Sequence, residues 1–213
     1  MAATLETTDK RAASRARRRQ QLVDATIKCI ARKGLGGTTL ADVAGEAGLS
    51  QGIVNLHFDS KDNLLTETLR YLAEDYDQQF MLTLARTTGS AANKLLALMD
   101  MDLRPSICDR QKLAVWFAFW GEVKAVPTYQ KICAARDDKY HNVMIELVSE
   151  IIDEGRYENV DAQVVTEALS SMTDGMWLSC LINPKTFNRK TARYAVRSYL
   201  HATFPDHYPQ GEL

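Results

Sequence analysis

The stretch Thr38-Thr39-Leu40-Ala41-Asp42-Val43-Ala44-Gly45-Glu46-Ala47-Gly48-Leu49-Ser50-Gln51-Gly52-Ile53-Val54-Asn55-Leu56-His57-Phe58 decides how this chain is read. Leu40, Val43, Ala44 and Ala47 fall at i, i+3, i+4 and i+7, the spacing of one helical face. Thr38 or Thr39 supplies an N-cap, and Gly48 stands where a left-handed residue is wanted after the helix. Leu49 is the apolar residue of the turn, and Ser50 caps a second short helix from Gln51 to about Phe58. Two short helices across a tight Gly-Leu-Ser turn make a helix-turn-helix, whose second helix enters the major groove of DNA by its N-terminal end. An ordinary helical hairpin is the competing reading. The turn chemistry and the basic helix upstream weigh against it.

Exposed positions on a reading helix must offer donors and acceptors to base edges. Gln51, Asn55 and His57 do so, and Gln and Asn can pair bidentately with adenine. Gly52 removes a side chain and permits close approach to the backbone. Thr38, Thr39, Ser50 and Lys61 are placed to meet phosphates through hydroxyl, backbone N–H or ammonium. Charge agrees: Met1 to Lys61 carries 10 Lys/Arg against 6 Asp/Glu, and Asp62 to Leu213 carries 16 against 21. Lys10 to Leu35 holds nine basic residues and one acid, Asp24. A basic head on an acidic body suits a polyanion partner, with a solvated basic tail as the bland alternative.

Outward from the motif, helical spacing continues almost everywhere and no period-two strand stands out. Residues 1–14 are polar and expected to be disordered. A first helix runs from about Ser14 to Lys33 and ends at Gly34. Ser60 caps a long helix from Lys61 to about Arg86. Five more follow at about 90–102, 107–125, 128–154, 161–182 and 188–203, punctuated by Pro105, Pro127, Gly155, Pro184 and Pro205. The expected fold is all-α, about nine helices, with a helix-turn-helix head over 15–62 and a helical bundle over 63–213.

Several function classes fall away. No G-x-S-x-G, Walker A, GxGxxG after a strand or HExxH occurs, so neither an enzyme nor a cofactor is expected. Cys29, Cys108, Cys133 and Cys180 form no CxxC pair, so no metal site is expected and free thiols are. The longest apolar run, Leu113 to Trp120, is eight residues and too short to span a bilayer. The first twenty residues lack the apolar core of a secretory signal, so a cytoplasmic location is expected.

From Arg18 to about Leu65 the chain resembles the DNA-binding domain of the tetracycline-repressor (TetR) family. The matching features are Arg18-Arg19-Gln20-Gln21-Leu22-Val23-Asp24-Ala25, the Thr38-Thr39 start, Ala47-Gly48-Leu49-Ser50, Gly52, and His57-Phe58 followed by Ser60-Lys61. The resemblance implies a homodimer, a palindromic double-stranded operator and an effector pocket in the C-terminal body. Asn55-Leu56 stand where tyrosines are frequent in the family, so base contacts there stay open.

Two further stretches, Leu113 to Glu122 and Thr173 to Leu178, resemble the choline-sensing branch of that family, which controls choline-to-glycine-betaine genes. Their chemistry fits independently. A quaternary ammonium has no N–H to donate, so aromatic faces and a nearby carboxylate must hold it. Trp116 and Trp120 lie at i, i+4 with Phe119 beside them, and Asp174 and Trp177 lie at i, i+3. With Tyr129 after Pro127, these six residues are the expected ligand set. Core packing is the competing reading for each aromatic, and a structural role for Asp174 or Glu122. The alternative effector is a hydrophobic drug or acyl ligand, in a regulator of efflux or lipid metabolism. By resemblance, the last two helices, with Val164, Val165, Ala168, Leu169, Ala195, Val196, Tyr199 and Leu200, pair across a dimer; an internal core face is the competing reading.

Overall fold

The computed structural model describes residues 2–209, with side chains from residue 12 onward. Among the described residues there are nine helices and no strand. They are α1 (Ala2–Gly37), α2 (Leu40–Ala47), α3 (Gln51–Phe58), α4 (Lys61–Arg86), α5 (Ala91–Asp102), α6 (Arg110–Glu122), α7 (Pro127–Gly155), α8 (Ala162–Ile182) and α9 (Arg189–Thr203). The all-α expectation and the order of elements hold.

Two boundaries differ from the sequence reading. α1 begins at Ala2 rather than near Ser14. Ala2–Ala13 holds four alanines and neither Pro nor Gly, so no residue there stops helix propagation. Met1 and residues 210–213, which the expected tail and body include, lie outside the described residues. α6 is shorter than the expected 107–125. Asp109 Oδ1 accepts the N–H groups of Gln111 and Lys112, fixing its start, and the Val126 N–H closes on Glu122 O after its end.

The chain divides into two compact units. One comprises Met1–Leu72 with Ala114–Gln130, the other Ala73–Leu113 with Lys131–Leu213. The division therefore passes through α4, α6 and α7. The return of the chain to the first unit after Ala73–Leu113 is a long-range event that local periodicity does not encode.

In the first unit, Gly34 breaks α1 with φ 72° and ψ 173°. Only glycine reaches a positive φ there at no steric cost. Leu22, Val23 and Cys29 of α1 form one apolar cluster with Val43, Ala44 and Ala47 of α2, Val54 and Phe58 of α3, and Leu64 of α4. Fully burying Phe58 and Leu64 contributes about 1.5–3 kcal/mol each, which holds three short elements in one orientation. In the second unit, α5, α7, α8 and α9 bury Leu95, Leu98, Met144, Leu147, Val148, Ile151, Leu169, Val196 and Leu200.

Candidate functional site

The helix-turn-helix is locked by local chemistry. Thr39 caps α2 through a capping box: the Asp42 N–H donates to Thr39 Oγ1 at 3.1 Å, and Asp42 Oδ2 accepts from the Thr39 N–H at 3.0 Å. The Lys33 ammonium, at 2.6 Å, and then the Thr39 hydroxyl and N–H hold the half-buried Asp42 carboxyl down at about 2. Gly48 adopts φ 64°, and the Leu49 N–H returns to Ala44 O at 2.9 Å, ending α2 and turning the chain into α3.

On α3, Gln51, Gly52, Asn55 and Leu56 face outward while Val54 and Phe58 are buried. Leu56 is 70% exposed. A Cβ at Gly52 would meet only Ser50 Oγ, at 3.8 Å, so no internal packing requires glycine there. Ser50 is extended and exposed, and its side chain makes no cap hydrogen bond. The first N–H groups of α3 therefore have no side-chain cap, and the positive end of the helix is open. His57 is half-buried; desolvation, with Arg15, Arg19 and Arg18 nearby, lowers its pKa.

The flanking positions split in role. Thr39 is exposed, as expected of a phosphate contact. Thr38 is buried at 1% exposure, and its Oγ1 donates to Gly34 O at 2.7 Å. That hydroxyl braces the turn and faces no partner outside the protein. The Lys61 ammonium donates to Gly36 O at 3.3 Å, tying the start of α4 to the end of α1. The basic residues of α1 also divide. Glu46 pairs with Lys28 and Arg32, Asp42 with Lys33, and Glu67 with Arg19, whose guanidinium also lies 4.7 Å over the Phe58 ring. Arg15, Arg17 and Arg18 are exposed and form no ion pair among the described residues.

The second unit encloses a cavity of about 200 Å³. Tyr76 comes from α4, Asp102 from α5, Arg136 and Tyr140 from α7, and Ser170, Asp174 and Trp177 from α8. Asp102 is fully buried. Tyr76 Oη donates to its Oδ1 at 2.8 Å and Tyr140 Oη to its Oδ2 at 3.2 Å. Burial pushes its carboxyl up to about 7, against the pull of those two phenols and Arg136. Trp177 donates its indole N–H to Asp102 O at 2.8 Å and meets the Tyr76 ring edge-on at 6.1 Å. The Arg136 guanidinium lies 4.9 Å over the Tyr76 ring and pairs with Asp137. Asp174 keeps solvent contact at the cavity edge; the packing around its carboxyl raises its pKa, Arg136 pulling the other way.

The six expected ligand residues divide between the two units. Asp174 and Trp177 line the cavity; Trp116, Phe119, Trp120 and Tyr129 do not. Within the first unit those four form two ring pairs. Trp116 and Trp120 have ring centroids 6.2 Å apart, and Phe119 meets Tyr129 edge-on at 4.9 Å. The i, i+4 spacing placed Trp116 and Trp120 on one face but carries no information about what that face meets. Phe119 turns to a different neighbour. Missed from the sequence were Tyr76, Asp102, Arg136 and Tyr140. One signal existed: Leu95, Leu98, Met99 and Asp102 fall at i, i+3, i+4 and i+7, an acid in an apolar register. Among the described residues no cluster could hold a metal ion, and no helix is long and apolar enough to cross a membrane.

A capped helix-turn-helix with an outward polar reading face and unpaired arginines beside it defines a DNA-binding transcriptional regulator. Comparison with known proteins agrees. Residues 22–68 match the family described as bacterial regulatory proteins, tetR family, and residues 91–205 match the BetI-type transcriptional repressor C-terminal family. The chain belongs to the TetR family and, within it, to the BetI-type repressors. It is 30% identical over 187 residues to the HTH-type transcriptional regulator BetI of Paraburkholderia phymatum, covering 86% of this chain and 91% of that one. The BetI of Serratia proteamaculans is 26% identical over 193 residues, covering 90% and 95%. A transcriptional regulator from Pseudomonas aeruginosa PAO1 superposes with a TM-score of 0.79 at 25% identity, covering 91% and 93%. One from Saccharomonospora viridis, solved in complex with choline, superposes with a TM-score of 0.79 at 22% identity, covering 87% and 96%. The chain is a transcriptional repressor and not an enzyme.

Proposed function

We propose that this repressor binds a palindromic operator as a homodimer. A small quaternary ammonium compound, choline above all, enters the cavity of the second unit and lowers operator affinity. The genes under its control are those of choline-to-glycine-betaine conversion. The observation that carries the effector reading is the composition of the cavity wall. Tyr76, Tyr140 and Trp177 supply aromatic rings, and Asp137, Glu167 and Asp174 outnumber Arg136 and His141. Aromatic faces and carboxylates are what a cation without N–H groups requires. The choline bound by the Saccharomonospora viridis regulator and the names of the BetI relatives support the same reading. The cavity, at about 200 Å³, lies below the roughly 300–1,000 Å³ of drug-sized pockets. Small size and excess carboxylate speak against an acyl chain or a bulky drug.

The DNA face is Gln51, Gly52, Asn55 and Leu56, with Thr39, Ser50, Lys61, Arg15, Arg17 and Arg18 as phosphate contacts. For the dimer, α8 carries Val164, Ala168, Ser171, Gly175, Leu178 and Ile182 in a 4-3-4-3-4 spacing. Val164, Leu178 and Ile182 are exposed there, as is Tyr194 on α9. Such a seam suits a four-helix contact between two copies. Val165, Leu169, Val196 and Leu200 are instead buried within the chain. Lys61 and Tyr76 lie on the same helix, α4, so a ligand that moves Tyr76 acts on the helix that braces the head.

Calorimetric titration tests the effector. Choline and betaine aldehyde, both cations, are expected to bind with saturation, and glycine betaine, whose carboxylate faces the acidic wall, far more weakly. Binding of a long-chain acyl compound in their place would overturn the cationic reading.

A further inference from the structure

Leu56 is the most exposed large apolar side chain among the described residues. A single exposed leucine needs no explanation on most of a surface. This one stands on the reading helix. Ile53 packs against the core cluster of the first unit, and Val54 and Phe58 are buried in it, so Leu56 alone of the apolar side chains of α3 turns outward. Side chains on a helix lean toward its N-terminus, so Leu56 extends over residue 52, one turn earlier. Residue 52 is glycine, and a Cβ there would meet only Ser50 Oγ. The space beside the leucine is therefore open to an incoming surface. The exposed side of α3 thus carries two stripes at i, i+4: a polar one of Gln51 and Asn55, and an apolar one of Gly52 and Leu56.

We infer that Leu56 packs on the C5 methyl group of a thymine in the major groove and so makes the protein select thymine at one position of its half-site. The inference rests on the assignment of α3 as the helix that meets DNA. Base edges in the major groove present donors and acceptors, and thymine alone adds an apolar group, its methyl. Leu56 offers the matching apolar surface, while Gln51 and Asn55 answer polar edges. Cytosine in the same place would set its amino donor against a side chain with no acceptor, and burying a donor unpaired is unfavourable.

A duplex that the full-length protein selects from random sequence is prepared with each thymine in turn replaced by deoxyuridine. That change removes the methyl and leaves every hydrogen-bonding group of the base pair in place. Affinities of wild type and Leu56→Ala are measured by fluorescence anisotropy at fixed salt, with thermal unfolding of both proteins alongside. Deoxyuridine at one thymine position of the half-site is expected to weaken wild-type binding about fourfold, the worth of one methyl-sized apolar contact. Leu56→Ala shortens an exposed side chain to its Cβ and introduces a better helix former. It is expected to keep its Tm and to bind the thymine and deoxyuridine duplexes equally. A wild type indifferent to deoxyuridine at every thymine, or a sensitivity that persists in Leu56→Ala, overturns the role of Leu56 while leaving α3 as the DNA-contacting helix. Failure of the wild type to enrich any sequence from the random pool overturns both.

Discussion

Asp102 offers a quantitative test because its carboxyl is held near neutrality chiefly by burial. In the unfolded chain it titrates near 3.8, and in the folded protein at about 7. Between those values the folded state binds the extra proton, so stability falls as pH rises and levels off above the folded value. With one pKa unit equal to about 1.36 kcal/mol, the two values make this group weaken the fold by about 2.5 kcal/mol from pH 5 to pH 8. Asp102→Asn removes the titration while imitating the protonated acid. Its carbonyl keeps the Tyr76 hydrogen bond, and its amide turns N–H groups toward the Tyr140 oxygen. His57, whose lowered pKa works in the opposite direction over part of this range, is common to both proteins and cancels in the difference. Urea unfolding of wild type and Asp102→Asn at half-unit steps of pH is the assay. The stability of the variant relative to wild type is expected to rise by about 2.5 kcal/mol across the range. Parallel profiles would refute the assignment of a protonated Asp102 to the folded state.

Other consequences of the same geometry are equally direct. Arg18→Ala should reduce the slope of log binding constant against log salt by about one for any duplex, whereas Arg32→Ala, whose charge Glu46 already answers, should leave it nearly unchanged; fluorescence anisotropy across a salt series separates them. Phe58→Ala should cost about 3–5 kcal/mol of stability by opening the core beneath the reading helix, measured by chemical denaturation. Thr39→Ala should cost about 1 kcal/mol through loss of the capping box in the same measurement. Val164→Asp combined with Ile182→Asp should convert dimer to monomer in sedimentation equilibrium while leaving the helical circular dichroism signal intact.

The helix-turn-helix was legible because its determinants are local. The i, i+3, i+4, i+7 register of Leu40 to Ala47, the Thr39 cap and the left-handed Gly48 each act within a few residues, and each lies where the pattern demands. The cavity was half legible. Asp174 and Trp177 sit on one helix at a spacing that can be read directly. Tyr76, Asp102 and Tyr140 arrive from three other helices, and only packing brings them together. The aromatic run of α6 belongs to the first unit and supplies no residue to this cavity. The basic stretch of α1 overstated the DNA contact surface: Lys28, Arg32 and Lys33 answer acids on α2, pairings that only the folded arrangement of the two helices creates.

Control of DNA binding by a cation is tested most directly at the operator itself. A duplex selected by the protein from random sequence is labelled, and its affinity is measured by anisotropy at fixed salt with increasing choline, using glycine betaine as the matched zwitterion. Choline is expected to weaken binding at least tenfold with saturation, glycine betaine to have little effect at equal concentration, and Asp174→Asn to blunt the choline response while leaving unliganded DNA affinity intact. Operator affinity that stays constant across the choline series, with the duplex released by an acyl compound instead, would contradict a cationic effector.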